Sequence, residues 1–528
     1  MNHRTRWGII YAVLVLGLIL GLWMGHKAVT PDEPDTPVIA KKETAMLQRE
    51  QIPLTHRLSE RGEKSYQPDS EALAEGAIAN QRTVTFSSAE AMNRFLEAIK
   101  GKGIAVIDSM DAFNTLRIAF LNLDDLAGLL GDDDELGYIY PAYIPGGGGT
   151  IQDDAVGFGD LFLEWLGVEG DRSGWGEGLK IAVLDTGIGA NSVFNNLIQS
   201  LSLIDQPADP GSLNGHGTAV ASLIASALGL APDASLLSLR VADDQGVSDT
   251  YLIAKAVMQA VDAGVDLINI SIGSQKPSAL LQRAMDYAEA AGTLVIASAG
   301  NDGFGSVAYP AAYENVVGVG AVDARGDHLD FSNIGMVNLT APGLALTSAW
   351  PQDTVVNFTG TSAAAPIVTG AIAAIMSSHK VTAREALQLL VDYSNDAGAP
   401  GHDETYGAGI IDIGRVLAMN DPNYTDIAVA ANHFTTNSQG GQIVQVTLQN
   451  RGNTALYNVP VKVELPTGSR TISINGLPAG GIKTYDFSIP RTNKPVQVTT
   501  TVNISGGGKD ANLSNNRRVD VFNPADNP

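Results

Sequence analysis

The central part of the chain, residues 175–417, alternates continuous apolar runs with amphipathic stretches. The apolar runs predict buried strands at Lys180–Leu184, Ser235–Val241, Asp266–Ile272 and Thr293–Ala297. The stretch Asp249–Ala263 repeats its apolar positions at helical spacing and is closed by Gly264, which predicts an amphipathic helix. Continuous apolar strands separated by helices are typical of a parallel sheet covered on both faces. We therefore predict a doubly wound, mostly parallel α/β domain over residues 151–420.

A smaller pattern over residues 81–145 precedes this domain. Strand-like segments at 83–86, 104–107, 116–120 and 138–143 are interrupted by helical spacing at 89–99 and 123–130. The order β-α-β-β-α-β predicts a small α+β domain of ferredoxin-like type. The four glycines Gly146–Gly149 then predict a flexible, accessible junction.

Beyond residue 423 the hydrophobic period changes to two. Val444–Leu448, Val461–Leu465 and Tyr485–Ile489 alternate apolar with polar residues, and Asn450–Asn453 and Pro466–Gly468 read as turns. About 100 residues of this pattern predict an all-β sandwich over 423–523.

The N-terminus predicts a membrane segment. Arg4 and Arg6 precede an uncharged, mostly aliphatic run at 7–25, which is long enough to cross a bilayer. A cleaved signal peptide is the alternative, but its apolar region is about 7 to 15 residues long and ends at small residues. We predict an uncleaved signal anchor with residues 1–6 in the cytoplasm, a linker at 26–80, and the rest of the chain in the periplasm, the cell envelope or, after processing, secreted.

Charge and cysteine content exclude several classes of function. The formal net charge is −24, which argues against nucleic-acid binding because phosphate contacts need clustered Lys and Arg. The chain has no cysteine, so disulfides, thiolate catalysis and cysteine-type zinc sites are excluded.

Three short segments carry the candidate chemistry. Asp185 ends an apolar strand, His216 lies between two glycines at the start of a small-residue helix, and Ser362 begins an Ala-rich run. Two of them have a plain alternative: Ser362 could be an ordinary helix cap, and Asp185-Thr-Gly could be an aspartic-protease half-site, of which the chain has no second copy. Because parallel strands end at one edge of a sheet, Asp185, Ser271 and Asn301 are expected to gather in one crevice.

Taken together and in this order, the three segments resemble those of the subtilisin-like serine peptidases, or subtilases, over residues 155–420. The resemblance implies that Ser362 is the nucleophile, His216 the general base and then acid, and Asp185 the residue that orients the imidazole. It also implies that Asn301, in Ser298-Ala-Gly-Asn301, donates to the oxyanion. The implied activity is endopeptidase cleavage of polypeptides through an acyl-enzyme.

The same resemblance implies an extended substrate site. Ser271 and Gly273 would bind the substrate backbone on one side and Gly246 on the other, with Ala311 in the floor of the first specificity pocket. No acidic residue lies in Tyr309–Ala311, which argues against selection of Arg or Lys. A plain structural turn remains the alternative for that segment.

The flanking domains take their expected roles from the same family. The domain at 81–145 resembles the inhibitory propeptide, so the chain would be a zymogen that cuts itself between Tyr143 and Gln152. The C-terminal domain resembles CARDB-type sandwiches, with a glycan or protein as its ligand.

No cofactor is expected to be required. The helix after His216 runs on without the calcium-binding insertion of many subtilases, and Asp243, Asp244 and Asp249 read as a solvated acidic loop. Calcium binding is left open, and no site is identified.

A rival hypothesis is a catalytically silent envelope scaffold that acts through its sandwich. The presence of every catalytic position favours the enzyme.

Overall fold

The computed structural model describes residues 66–522, apart from 127, 147–149, 153–154, 169, 195–196, 212–213, 437–440, 491–493 and 505–508. The predicted cytoplasmic tail, the anchor and most of the linker lie outside these residues. Within them, one helix, Thr361–His379, has the length and apolarity of a membrane span, and 94% of its apolar window is buried inside the fold. In this fold it is a core helix.

The first described region is a small antiparallel sheet backed by a helix, here called the N-terminal domain (residues 66–145). Its elements are α1 (Ser70–Glu75), β1 (Gln81–Thr85), α2 (Ala89–Ala98), β2 (Ile104–Met110), β3 (Thr115–Phe120) and β4 (Glu135–Gly137). The strand order is β2-β3-β1-β4, and each neighbouring pair is antiparallel. Helix α2 is capped by the Ser88 side chain and packs Phe95 against Phe86, with ring centroids 5.1 Å apart.

Three features of this domain differ from the sequence prediction. Residues 69–80, assigned to the linker, are packed, and the buried Asp69 pairs with Arg82 at 2.5 Å. The helix predicted at 123–130 is one 3-10 turn, Leu123–Leu126, and Gly128 follows in the left-handed region (φ 74°). The predicted strand 138–143 is replaced by β5 (Pro141–Tyr143), which pairs with β9 (Val247–Asp249) of the next domain. Pro141 has no N–H for a sheet ladder, which suits a strand that leaves the sheet.

The central domain is built on one seven-stranded parallel sheet in the order β13-β12-β11-β10-β6-β8-β7. Its strands are β6 (Lys180–Asp185), β7 (Leu197–Ser202), β8 (Ser235–Arg240), β10 (Leu267–Ile270), β11 (Leu294–Ser298), β12 (Val316–Val322) and β13 (Leu339–Pro342). A hairpin is added by β14 (Leu346–Trp350) and β15 (Thr354–Phe358). The doubly wound parallel α/β architecture is thus confirmed, and the four predicted strands end within two residues of their observed ends.

Helices cover this sheet. They are α3 (Phe162–Trp165), α4 (His216–Ile224), α5 (Thr250–Asp262), α6 (Ala279–Ala290), α7 (Thr361–His379), α8 (Ala383–Asp392) and α9 (Ile413–Leu417). Helix α4 packs against α7, and α5 packs against α6. Helix α7 is buried from Thr361 to Ser377, because its small Ala-rich residues let it pass close to the sheet.

The C-terminal region forms the predicted sandwich of two antiparallel sheets. One sheet contains β16 (Ile427–Thr436), β17 (Gln442–Asn450) and β20 (Ile482–Ser488); the other contains β19 (Gly468–Ile474), β18 (Val459–Leu465), β21 (Val496–Val502) and β22 (Arg517–Phe522). Alternate residues of β18 are buried, and Val444, Val461 and Val498 are fully buried between the sheets.

Candidate active site

The end of β6 and the start of α4 bring an aspartate and a histidine together. Nδ1 of His216 lies 2.8 and 3.0 Å from the two carboxylate oxygens of Asp185. Asp185 is fully buried, and it also accepts the N–H of Thr186 at 2.7 Å. A buried carboxylate on one ring nitrogen favours the tautomer with hydrogen on Nδ1, which leaves Nε2 free to accept a proton.

Ser362 occupies the second position of α7, where backbone N–H groups of the first turn have no partner within the helix. Its hydroxyl donates to the Ser271 carbonyl at 3.5 Å, and the Ser271 hydroxyl donates to the Ser362 carbonyl at 3.4 Å. The Ser362 carbonyl is open to this bond because Pro366, four residues on, has no N–H to offer it. The proline of the motif therefore helps to fix the helix start against the end of β10.

Asn301, just after β11, is held by the residue before Ser362. Its Oδ1 accepts from the N–H and the hydroxyl of Thr361 at 2.8 and 2.7 Å. Its Nδ2 therefore faces the cleft, where it donates to the Pro145 carbonyl at 3.2 Å. Gly360 permits this close approach, since a Cβ there would lie 2.7 Å from Nδ2 of Asn301.

Sequence reasoning missed Asn333, which is fully buried behind this loop. Its Nδ2 donates to the Ala299 carbonyl at 3.1 Å, and its Oδ1 accepts from the N–H groups of Asp302 and Phe304 at 3.1 and 2.9 Å. These bonds bracket Asn301 on both sides. A lone asparagine in Phe331-Ser-Asn333 gave no local signal of that role.

The predicted peptide-binding edges are occupied by the chain itself. Tyr143 exchanges two backbone hydrogen bonds with Gly273, at 2.8 and 2.9 Å, and the N–H of Ile144 donates to the Gly246 carbonyl at 2.9 Å. Strand β5 thus lies between β9 and the segment that follows β10, as an added strand would. The predicted pairing surfaces at Gly246 and Gly273 therefore do contact an extended peptide.

Ala311 stays a predicted part of the floor of the first specificity pocket. It is buried against β12, where a Cβ built on Gly318 would lie 3.0 Å from its carbonyl oxygen. Ala308, which the sequence did not single out, lies beside the glycine segments of the cleft: its Cβ would be 2.8 Å from a Cβ at Gly273 and 3.6 Å from one at Gly300. Only the loop conformation decides that Ala308 narrows the space between these two segments.

The carboxylates of the acidic loop near β9 are bound by other groups of the same chain. Asp249 caps α5 and pairs with Arg117 at 2.8 Å, Asp244 pairs with Arg240 at 2.6 Å, and Asp243 accepts backbone N–H groups. Among the described residues, no group of His, Cys, Asp and Glu side chains is arranged to hold a metal ion. At the cleft rim, burial raises the pKa of the Asp302 carboxyl, and a hydrogen bond from Gln275 opposes that shift.

In chemical terms the cleft combines a hydroxyl at a helix start, an imidazole on a buried carboxylate and an amide donor aimed at a peptide carbonyl. Such a set can attack that carbonyl, move a proton and stabilise the resulting oxyanion.

Residues 176–409, which contain all of these side chains, match the subtilase family of S8 peptidases. The chain is 36% identical over 245 residues to Subtilisin Savinase of Lederbergia lenta, a match that covers 45% of this chain and 89% of that protein. Subtilisin DY of Bacillus licheniformis is 34% identical over 249 residues, with 45% and 90% covered. The Thermophilic serine proteinase of Bacillus sp. (strain AK1) is 30% identical over 324 residues, with 57% and 79% covered.

Proposed function

The chain belongs to the subtilase family and is a serine-type endopeptidase, and we propose that Ser362, His216 and Asp185 carry out its chemistry. The observation that carries the proposal is the carbonyl of Pro145, which accepts from Nδ2 of Asn301 at 3.2 Å while the preceding strand β5 fills the peptide-binding edges. A peptide carbonyl thereby lies at the proposed oxyanion donor, which is itself bonded to Thr361, the residue before Ser362.

Each residue has a defined role in this mechanism. Oγ of Ser362 attacks the peptide carbonyl and its proton passes to Nε2 of His216, while Asp185 stabilises the imidazolium. The oxyanion is held by Nδ2 of Asn301 and by the N–H of Ser362. His216 then protonates the leaving amine, and water hydrolyses the acyl-enzyme by the reverse transfers.

We propose further that the N-terminal domain is an inhibitory propeptide and that the enzyme is made as a zymogen. Its strand β5 and the residues up to Pro145 occupy the cleft that substrates need, which supports the assignment. Substrates are then polypeptides that bind in extended form between the segments of Gly246 and Gly273.

The remaining assignments are proposals from sequence. The run at 7–25 would anchor the chain with its catalytic domain outside the cytoplasm, unless processing releases it. The sandwich would be a CARDB-like accessory domain with a glycan or protein ligand.

The test compares purified full-length chains on a fluorogenic peptide, with the variants matured by added wild-type enzyme that is then removed. Ser362→Ala, His216→Ala and the double variant should lose activity to a similar extent, because all disable the same step. Asn301→Leu should lower kcat by about 10²- to 10³-fold with KM little changed, which is the loss seen when the oxyanion-hole asparagine of the relative subtilisin is removed. Wild type that hydrolyses no peptide would favour the rival view of a silent scaffold, and hydrolysis that persists in Ser362→Ala would remove Ser362 from the mechanism.

A further inference from the structure

The register of the N-terminal segment identifies the peptide bond that faces the nucleophile. Tyr143 and Gly273 form a hydrogen-bonded antiparallel pair, exchanging both backbone bonds. In an antiparallel ladder the next such pair lies two residues along each strand, which places Pro145 opposite Ser271. The carbonyl of Pro145 is the one that Asn301 contacts. Both observations place the peptide bond between Pro145 and Gly146 at the proposed catalytic residues.

Proline is a poor residue for that position. In the register of the Tyr143 pair, residue 145 should donate its N–H to the Ser271 carbonyl, just as Tyr143 donates to Gly273. Proline has no N–H, so this bond cannot form. The Ser271 carbonyl instead accepts the hydroxyl of Ser362 at 3.5 Å.

This replacement affects the nucleophile. A serine hydroxyl has one hydrogen, and here it points to the Ser271 carbonyl. In the described part of the chain, no hydrogen bond joins Oγ of Ser362 to the ring of His216, which is hydrogen-bonded to Asp185. The hydroxyl must turn to the imidazole before its proton can be removed. A residue with an N–H at 145 would share the Ser271 carbonyl with the hydroxyl, and sharing this acceptor weakens the bond that holds the hydroxyl away from the imidazole.

We propose that Pro145–Gly146 is the bond the chain cuts in itself, and that Pro145 slows this cut by leaving the Ser271 carbonyl to Ser362. The inference rests on the proposed function. In the reaction, Oγ of Ser362 bonds to the Pro145 carbonyl carbon and the bond to the Gly146 nitrogen breaks. The serine proton passes through His216 to that nitrogen, and water then frees Ser362 and leaves the Pro145 carboxylate. The proline delays activation without blocking it.

The test follows the self-processing of freshly folded full-length wild type, Pro145→Ala and Pro68→Ala. Pro68 is an exposed proline of the same domain outside the cleft, which makes it the matched control. Gel analysis gives the rate of fragment appearance, and intact mass with N-terminal sequencing gives the cut. We expect both wild type and Pro145→Ala to yield a fragment that starts at Gly146. The alanine variant should be about 3- to 10-fold faster, the worth of one recovered hydrogen bond, and Pro68→Ala should match wild type.

A second measurement does not depend on folding of the variant. Mature wild-type enzyme is given peptides that contain Tyr-Ile-Pro-Gly or Tyr-Ile-Ala-Gly, and kcat/KM should favour the alanine peptide by a similar factor. A fragment that starts elsewhere, or an alanine variant and peptide cut no faster than their proline counterparts, would overturn the proposal. Failure of the proposed function gives a different result: either wild type is not processed at all, or Ser362→Ala is processed as fast as wild type.

Discussion

The peptidase domain meets its two neighbours in different ways. The N-terminal domain contacts it through strand β5 and through side-chain pairs, of which Arg117–Asp249 at 2.8 Å is buried. The sandwich contacts it through a buried guanidinium: Arg415 donates to the carbonyls of Tyr393 and Ser394, both at 2.7 Å, and to that of Arg451 in the sandwich at 3.1 Å.

The two joints differ in the hydrogen bonds that their polar groups would keep if the domains separated. Asp249 keeps its bond to the N–H of Leu252, and Arg117 keeps the side chain of Gln81 at 2.9 Å. In the sandwich joint, Gln449 bonds both the Ser394 carbonyl and the Asp396 N–H across the boundary, so parting the domains strips backbone groups of their partners. The joint with the N-terminal domain is therefore suited to release, and the joint with the sandwich is suited to a permanent connection.

The largest effect is expected from Arg415→Ala. The carbonyls of Tyr393, Ser394 and Arg451 would lose a buried donor, which we expect to cost about 3–5 kcal/mol of unfolding free energy. Denaturant unfolding in a Ser362→Ala background, which prevents self-digestion, measures it. Arg470→Ala, at an exposed position of β19, is the control and should change stability by less than about 0.5 kcal/mol. Equal stabilities of the two variants would contradict a permanent joint built on Arg415.

Arg117→Ala should act on release and not on the peptidase itself. It leaves Asp249 buried without its cation, so the dissociation constant of the cleaved N-terminal domain should rise about 30- to 150-fold, or 2–3 kcal/mol. Peptidase activity regained on dilution of processed enzyme reports this constant. Arg94→Ala, an exposed position on α2, serves as the control. Unchanged inhibition in Arg117→Ala would mean that β5 alone holds the domain.

A pH test probes the sandwich joint. Burial raises the pKa of Asp396 to about 6, with Asp403 adding to the shift. The folded state thus binds more protons than the unfolded state between about pH 4 and 6, so this group makes stability fall as pH rises through that window. Asp396→Asn removes the titration, and its stability relative to wild type should rise by about 1 kcal/mol from pH 4 to pH 7. Thermal melts of both proteins at both pH values measure this difference in stability. A difference that shrinks as the pH rises would contradict the raised pKa of Asp396.

The smallest effect is expected from Lys255→Ala. Lys255 pairs with Asp108 across the N-terminal joint at 2.5 Å, but the two side chains are 23% and 31% exposed. Water and salt screen such a pair, so its loss should weaken inhibition only two- to fivefold. The same dilution assay in 1 M salt should erase this difference while that of Arg117→Ala persists. A salt-resistant Lys255 effect would show that the joint is drier than its exposure indicates.

The proposed reactive residues could be predicted because each lies in a local motif. Asp185 ends an apolar strand, His216 and Ser362 begin helices, and parallel strand ends share one edge. The supporting residues had no such signal: Asn333 lies 32 residues from Asn301 in the chain, and the loop alone decides that Ala308 lies beside Gly273 and Gly300. The sequence also failed to predict that β5 leaves the sheet of its own domain, because the alternation of apolar and polar residues in a strand does not specify which strand it pairs with.

The sequence by itself determined the parallel α/β sheet, the sandwich and the candidate nucleophile, base and oxyanion donor. Hydrophobic periodicity and helix-cap residues act over a few neighbouring positions, so both can be recognised from the sequence alone. Only the tertiary structure decided that Pro145 faces Asn301, that Arg117 pairs with Asp249, and that Arg415 joins the sandwich. These contacts join residues far apart in the chain, and they form because leaving a polar group buried without a partner costs free energy, so most such groups find one on folding.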